Sequence, residues 1–310
     1  MHDADLRSLL CFNPACSGNA SGYNGPAAED PRISTTDSKT TDPRVTGLLS
    51  RYGFILVEGE DAGEFLQSQF SADITALADE QAVLTGWHDH KGRVLSCLKV
   101  VRKKSSYWLV LPAALVADTL SGLQRYVLRS KVTLSDASEH LAAAGVVGRD
   151  GNRHEIYAKR EKLTAAVAQH HKDGIGRIGN DEWELQDIRD GLPEVYPETT
   201  GLYTGQMLNL DLIGGISFSK GCYPGQEVIA RTHHLGRVKR RMQRYISDGP
   251  ALPPGDSLED ESGKPAGTVV RSAAAETGNE SLVVTAVGHP PVLVTNDGFR
   301  LEPAPLPYAL

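Results

Sequence analysis

The sequence predicts an α+β protein of two unequal parts, a larger mixed lobe followed by a small antiparallel β-barrel. Up to about residue 237, apolar runs of strand length alternate with amphipathic helical stretches. From about 238 to the end, only short strands broken by Gly and Pro turns remain, the pattern of a small barrel. The length of 310 residues also exceeds the usual single-domain size.

Residues 1–43 are rich in Ser, Thr, Gly, Asn, Asp and Pro, with no apolar periodicity after Phe12, and predict a disordered tail. The folded part is expected from about Val45, with the lobe covering 44–237 and the barrel 238–310. Tyr52 to Val57 is a buried strand by its apolar run, and Gly59 turns it. Asp61 and Glu64 form a plausible capping pair for a helix through Phe70. Ala82 to Trp87, Val94 to Val101 and Tyr107 to Leu111 read as strands, the first two joined by the polar turn His88-Asp89-His90-Lys91-Gly92. His88 and His90 share a strand face, but no third ligand has suitable spacing, so solvated turn histidines are expected rather than a metal.

Ala113 to Leu128 places Leu115, Leu120, Leu123 and Val127 at helical intervals. Val132 to Leu134 and Ala143 to Val147 are strands, and Lys162 to His171 and Asp181 to Asp190 are helices, the last stopped by Gly191-Leu192-Pro193. In the barrel part, strands are expected over Arg241 to Ile246, Gly267 to Ala273, Leu282 to Val287, Val292 to Thr295 and Phe299 to Glu302.

Composition bounds the function. Hydrophobic residues make up 40% and charged residues 23%, as in an ordinary soluble globular protein. The formal net charge of −7 argues against a wholesale nucleic-acid binder. No stretch approaches the roughly 18 apolar residues that a membrane helix needs, and Leu9-Leu10-Cys11-Phe12 lacks the basic flank of a secretory signal. The cysteines Cys11, Cys16, Cys97 and Cys222 are too few and scattered for a disulfide framework, which fits a reducing cytoplasm.

The most informative stretch is Lys220-Gly221-Cys222-Tyr223-Pro224-Gly225-Gln226-Glu227, continued by Val228-Ile229-Ala230-Arg231. Two glycines and a proline within six positions make a loop, and the pattern after Gly225 is that of a helix start. A cysteine just ahead of a helix N-terminus, two residues from Lys220, sits in a field that favours the thiolate. The same amides and cations suit an anion instead, and a small buried hydrophobe under a turn is the bland alternative.

These residues resemble the signature of the YgfZ proteins, folate-binding relatives of the glycine-cleavage aminomethyltransferase (T-protein) that help maintain iron–sulfur enzymes. Residues 206–219, QMLNLDLIGGISFS, resemble the approach to the signature, and His234 to Arg241 its exit. Gly59-Glu60-Asp61 with Phe65-Leu66-Gln67 and the segment Gln124 to Val132 extend the similarity to roughly 44–310. The resemblance implies an aminomethyltransferase-like folate-binding lobe with a C-terminal barrel. It further implies tetrahydrofolate or a derivative as cofactor, iron–sulfur client proteins as partners, and a link to tRNA modification. Cys222 and Lys220 are then the reactive pair, and Tyr223, Gly225, Gln226, Glu227, Arg231 and Trp183 the folate-binding set, with Trp183 able to stack its indole on a pterin face.

Two functions from different classes compete: one-carbon transfer by an aminomethyltransferase, and a folate-binding assembly or repair factor. In the aminomethyltransferases a similar strand carries adjacent aspartates, one of them catalytic, where this chain has Ser96-Cys97 within Gly92 to Leu98. A hydroxyl and a thiol do not supply carboxylate electrostatics, so the assembly-factor reading is preferred. Arg189 stands where relatives tend to carry an acid, and Tyr203-Thr204-Gly205-Gln206 departs from their proline-containing pattern. Beyond the signature, Arg231, Arg237, Lys239, Arg240, Arg241 and Arg244 place six basic residues in fourteen positions without an acid. Such a patch attracts an anionic partner, either a polyglutamylated folate tail or RNA. The absence of interleaved aromatics favours the folate carboxylate.

Overall fold

The structure, a computed structural model, describes residues 10–12, 43–288 and 291–310. In chain order the first half comprises β1 (Leu10–Phe12), β2 (Pro43–Leu48), β3 (Tyr52–Glu58), α1 (Ala62–Gln69), β4 (Ala82–His88), β5 (Val94–Lys103), β6 (Ser106–Pro112), α2 (Val116–Gln124) and β7 (Thr133–Asp136). There follow β8 (Leu141–Gly148), β9 (Arg153–Lys159), α3 (Arg160–Lys172), β10 (Gly176–Arg177), α4 (Asn180–Arg189) and α5 (Gln226–Leu235). The chain ends with β11 (Arg240–Ser247), β12 (Ser257–Asp260), β13 (Pro265–Ala274), β14 (Asn279–Ala286), β15 (Leu293–Val294) and β16 (Arg300–Ala304).

These strands make two five-stranded sheets, in the orders β1-β9-β8-β2-β10 and β4-β5-β6-β3-β7, and a closed six-stranded barrel, β11-β14-β13-β12-β15-β16. Closure leaves the barrel without a free edge. The architecture is the α+β lobe with a C-terminal antiparallel barrel that the sequence predicts. One apolar cluster runs from Leu66 and Phe70 through Val94 and Leu98 to Tyr223 and Ile229, and on to Met242 and Val284 of the barrel. The signature segment is therefore seated on a core that both parts share.

Several local expectations differ from the structure. Asp61 precedes α1 without a side-chain cap bond; its carboxylate instead accepts the Lys131 N–H at 2.7 Å. The helix expected over Ala113 to Leu128 stops at Gln124, because the chain must return to lay β7 beside β3. Leu128 consequently ends 89% exposed, at a φ of +38°. Strands β9 and β12 are not expected from the sequence, because charged residues interrupt their apolar pattern. Of the expected disordered tail, residues 1–9 and 13–42 lie outside the described residues. Within it, Leu10–Phe12 form a strand paired with β9, Leu10 opposite Tyr157. A sheet edge recruits any extended segment through its unpaired backbone groups.

Candidate functional site

The signature forms a loop held at both ends. At its start, the three hydrogens of the Lys220 ammonium go to the carbonyls of Gln67, Phe70 and Ala72, at 2.5, 2.5 and 3.0 Å. Lys220 thereby caps the end of α1, and its ammonium also lies 5.2 Å from the Tyr223 ring centroid. Burial pushes its pKa down to about 8, against the pull of Asp73. At the other end, Gly225 caps α5 in the left-handed conformation, φ +79°. A Cβ there would lie 2.5 Å from the Asp89 carbonyl oxygen and 2.7 Å from the Gly92 Cα. The helix start is pressed against the β4–β5 turn, and only glycine meets both the dihedral and the space. Below α5, buried Gln206 donates to the Ile229 carbonyl at 2.7 Å. Cys222, between the two anchors, is exposed and free.

Under this loop lie two buried polar rings. His88 is 1% and Tyr223 6% exposed, with ring centroids 6.1 Å apart. Burial lowers the His88 pKa to about 4 and raises that of Tyr223 to about 12, so both are neutral near pH 7. The ring nitrogens of His88 and the Tyr223 hydroxyl have no hydrogen-bond partner among the described residues. His88 is thus a buried strand-end residue and not the solvated turn histidine expected; His90, two residues on, is exposed. Among the described residues no group of three His, Cys, Asp or Glu is placed to hold a metal ion.

A second cluster fills the junction of the β4-β5-β6-β3-β7 sheet, α4 and the barrel. A narrow crevice there, with a free volume of only about 20 Å³, is lined by Tyr52, Leu84, Cys97, Lys99, Val110, Asp187, Leu192, Glu194 and Arg271, among others. Arg271, from β13, pairs with Glu184 at 2.6 Å and Asp187 at 3.4 Å, and donates to the Leu192 carbonyl at 2.9 Å. Arg51 pairs with Glu184 and Glu194. Desolvation alone would raise the Asp187 carboxyl, but Arg271, Arg153, Lys99 and Arg51 outweigh it and hold it below the ordinary carboxylate value. Lys99 pairs with Glu155 and donates to the Tyr52 hydroxyl at 3.2 Å. Burial would lower the Lys99 ammonium, yet Glu155, Tyr52 and Asp187 hold it above its usual value. Burial pushes the Cys97 thiol up to about 12, with Arg271 opposing. Cys97 is accordingly a neutral thiol in the wall of this cavity.

The GCVT N-terminal domain family model matches residues 48–153. The tRNA-modifying protein YgfZ of Photorhabdus laumondii subsp. laumondii is 29% identical over 315 residues, spanning 88% of this chain and 95% of that protein. Its namesake from Shigella sonnei is 27% identical over 319 residues, 90% and 97% of the two chains. The resemblance to the YgfZ family is borne out. Among solved structures, the glycine cleavage system aminomethyltransferase T from Bartonella henselae superposes with a TM-score of 0.68 at 13% identity, covering 87% of this chain and 86% of that one. The shared aminomethyltransferase fold follows from that superposition.

The structure divides the site residues expected from the YgfZ resemblance into separate groups. Lys220, Tyr223 and Gly225 build the loop from within, while Cys222, Glu227 and Arg231 face outward and Gln226 is half-buried. Trp183 belongs to a different apolar cluster from Tyr223. It is fully buried and donates to Glu155 at 3.1 Å. The Arg153 guanidinium lies over its ring at 4.4 Å, and a Cβ at Gly145 would come within 2.4 Å of it. With Arg153 and Gly145 packed on it, the indole presents no open face for a pterin, and Trp183 is a core residue here. Arg189 clamps Glu280 of the barrel at 2.7 Å. Sequence reasoning missed Lys99, Glu155, Asp187, Glu194 and Arg271. The one available signal was a lysine and an arginine inside otherwise apolar strands, Val94–Val101 and Gly267–Ala273.

Proposed function

We propose that this YgfZ-like protein binds a reduced folate at the central cavity and supports the assembly or repair of iron–sulfur proteins through Cys222. In this reading residues 44–237 form the folate-binding unit, 238–310 the barrel that backs it, and the protein works in a reducing cytoplasm. The observation that carries it is the contrast between Cys222 and Cys97. Cys222 is exposed on a loop anchored by Lys220 and Gly225, whereas Cys97 is buried and neutral in the strand where the resemblance places the aspartates of the aminomethyltransferases. A lone exposed thiol does not supply the four thiolates of a stable cluster, so the cluster is cargo or client and not a resident group.

The donor set at the cavity suits a pterin in kind. Asp187 and Glu194 offer carboxylate oxygens to an aminopyrimidine edge, and Leu84, Val110 and Leu192 offer apolar walls to its faces. Admission requires the ion pairs of Arg51 and Arg271 with Glu184 and Glu194 to open, because these side chains close the space. A bound reduced folate would supply a one-carbon donor or acceptor; the chain's own part is to hold and orient it. The relatives' name, tRNA-modifying protein, points to clients that act on tRNA.

The test pairs calorimetry with tetrahydrofolate and an assay of iron–sulfur enzyme activities in cells lacking the protein. Folate binding is expected, together with loss of those activities that wild-type protein restores and Cys222→Ser does not. Full complementation by the serine variant refutes the role of Cys222. The competing aminomethyltransferase reading rests on the shared fold. Ammonia release from an aminomethyl-lipoyl carrier at about 1 per second or faster would establish it and overturn the assembly-factor reading.

A further inference from the structure

The basic run after the signature, Arg231 included, is expected from the sequence to meet a folate carboxylate, but none of it lines the central cavity, and the fold divides it. Arg241 is bound to Asp211 at 2.8 Å and Arg244 to Glu280 at 2.6 Å, so these two are structural. Arg240 donates to the Val284 carbonyl at 2.9 Å but has no acidic partner among the described residues. Arg231, Arg237 and Lys239 are exposed, with neither an ion pair nor a side-chain hydrogen bond among those residues. Glu227 is the one acid between Lys220 and Ser247.

The aromatics missing from the run itself are brought in by the fold. Phe218, upstream of the signature, stacks on His233 of α5 with ring centroids 3.8 Å apart and planes at 17°. His234 stands edge-on to His233 at 4.8 Å. Phe218 is half-buried against the core, while both histidines are exposed. The stack is therefore a flat ring fixed from beneath at the surface. Helix α5 buries only Ile229. Its outer stripe, Val228, Arg231, His234 and Leu235, is open to solvent at helical spacing, and Leu235 is 87% exposed.

We infer that the surface formed by α5 and its exit, which carries the exposed cations Arg231, Arg237 and Lys239 and the Phe218–His233–His234 stack, binds single-stranded RNA. The cations engage phosphates, and the supported imidazole rings offer stacking faces to unpaired bases, the two components that sequence-tolerant single-strand recognition combines. A duplex has its bases stacked internally and leaves the platform unused. An acidic protein segment would satisfy the charges alone. The inference stands apart from the folate reading, since none of these residues lines the central cavity.

Fluorescence anisotropy with a labelled twelve-nucleotide oligouridylate tests it on the full-length protein. Contacts to three phosphates on a single strand give a slope near −2 in log affinity against log salt, so about a tenfold to twentyfold loss is expected between 50 and 200 mM salt. The variant R231E/R237E/K239E should lose tenfold or more at low salt with an unchanged melting curve. His233→Ala should weaken binding severalfold while leaving the salt slope intact, which a purely structural role for the ring would not produce. Absence of binding by the wild type at 50 mM salt overturns the inference, as does equal affinity of wild type and triple variant. Equal competition by an oligoglutamate of matched charge also overturns it, because the surface then reads charge alone. Tetrahydrofolate calorimetry on the triple variant separates this outcome from failure of the folate reading.

Discussion

Gly225 and Gly92 meet backbone to backbone: a Cβ on Gly225 would fall 2.7 Å from the Gly92 Cα and 2.8 Å from its nitrogen. Each also has a positive φ, +79° and +73°. This contact sets the height of the Cys222 loop over the β4–β5 turn, and it joins two stretches that are remote in sequence.

Gly225→Ala should therefore displace the loop. A non-glycine residue in the left-handed region is strained by about 1–2 kcal/mol, and the clash with the Asp89 carbonyl adds to this. A lowered melting temperature and an altered rate of Cys222 alkylation are expected. Unchanged alkylation and stability would show that the contact is slack.

Cys222 and Cys97 should differ sharply toward a thiol reagent. Peptide mapping of the native protein after brief iodoacetamide treatment at pH 8 should find Cys222 modified and Cys97 untouched, since burial pushes the Cys97 thiol up to about 12 and shields it. Denaturation should make Cys97 reactive.

Arg271→Met should be strongly destabilising. Removing this guanidinium leaves Glu184, Asp187 and Glu194 in a buried site with less compensating charge, a loss of the order of 3–5 kcal/mol. Urea unfolding of the variant measures it, and a loss under 1 kcal/mol would mean that Arg51 alone suffices.

Trp183→Ala should disturb folding first. The side chain is fully buried, and large aromatic truncations of this kind remove about 3–5 kcal/mol. Trp183→Phe, which keeps most of the volume and loses the Glu155 hydrogen bond, should fold and retain folate affinity. A selective loss of affinity in the phenylalanine variant would return Trp183 to the binding site.

Acid stability should report His88. Its folded pKa near 4 lies below the ordinary 6.5, so the unfolded chain takes up the proton first. His88 thus adds no penalty above pH 6.5. Stability falls as pH drops from 6.5 to 4, by about 3 kcal/mol in all. In His88→Asn the slope of stability against pH over this window should flatten; an unchanged slope would place the titration elsewhere.

The sequence by itself determined what local chemistry can express. Apolar runs bounded by Gly and Pro marked β3 to β6 and most of the barrel strands, because strand period and turn chemistry are written in neighbouring residues. The signature from Lys220 to Arg231 marked a cysteine loop leading into α5 for the same reason. Tertiary structure alone decided which charges meet. Arg271 and Asp187 lie 84 positions apart, and Lys99 and Glu155 lie 56 apart, so no local pattern announces either pair. The same holds for Trp183, whose covering by Arg153 and Gly145 is a matter of packing, and for Phe218 stacked on His233. Burial and ion pairing depend on how sheets, helices and barrel close on one another, and only the closed structure brings those partners together.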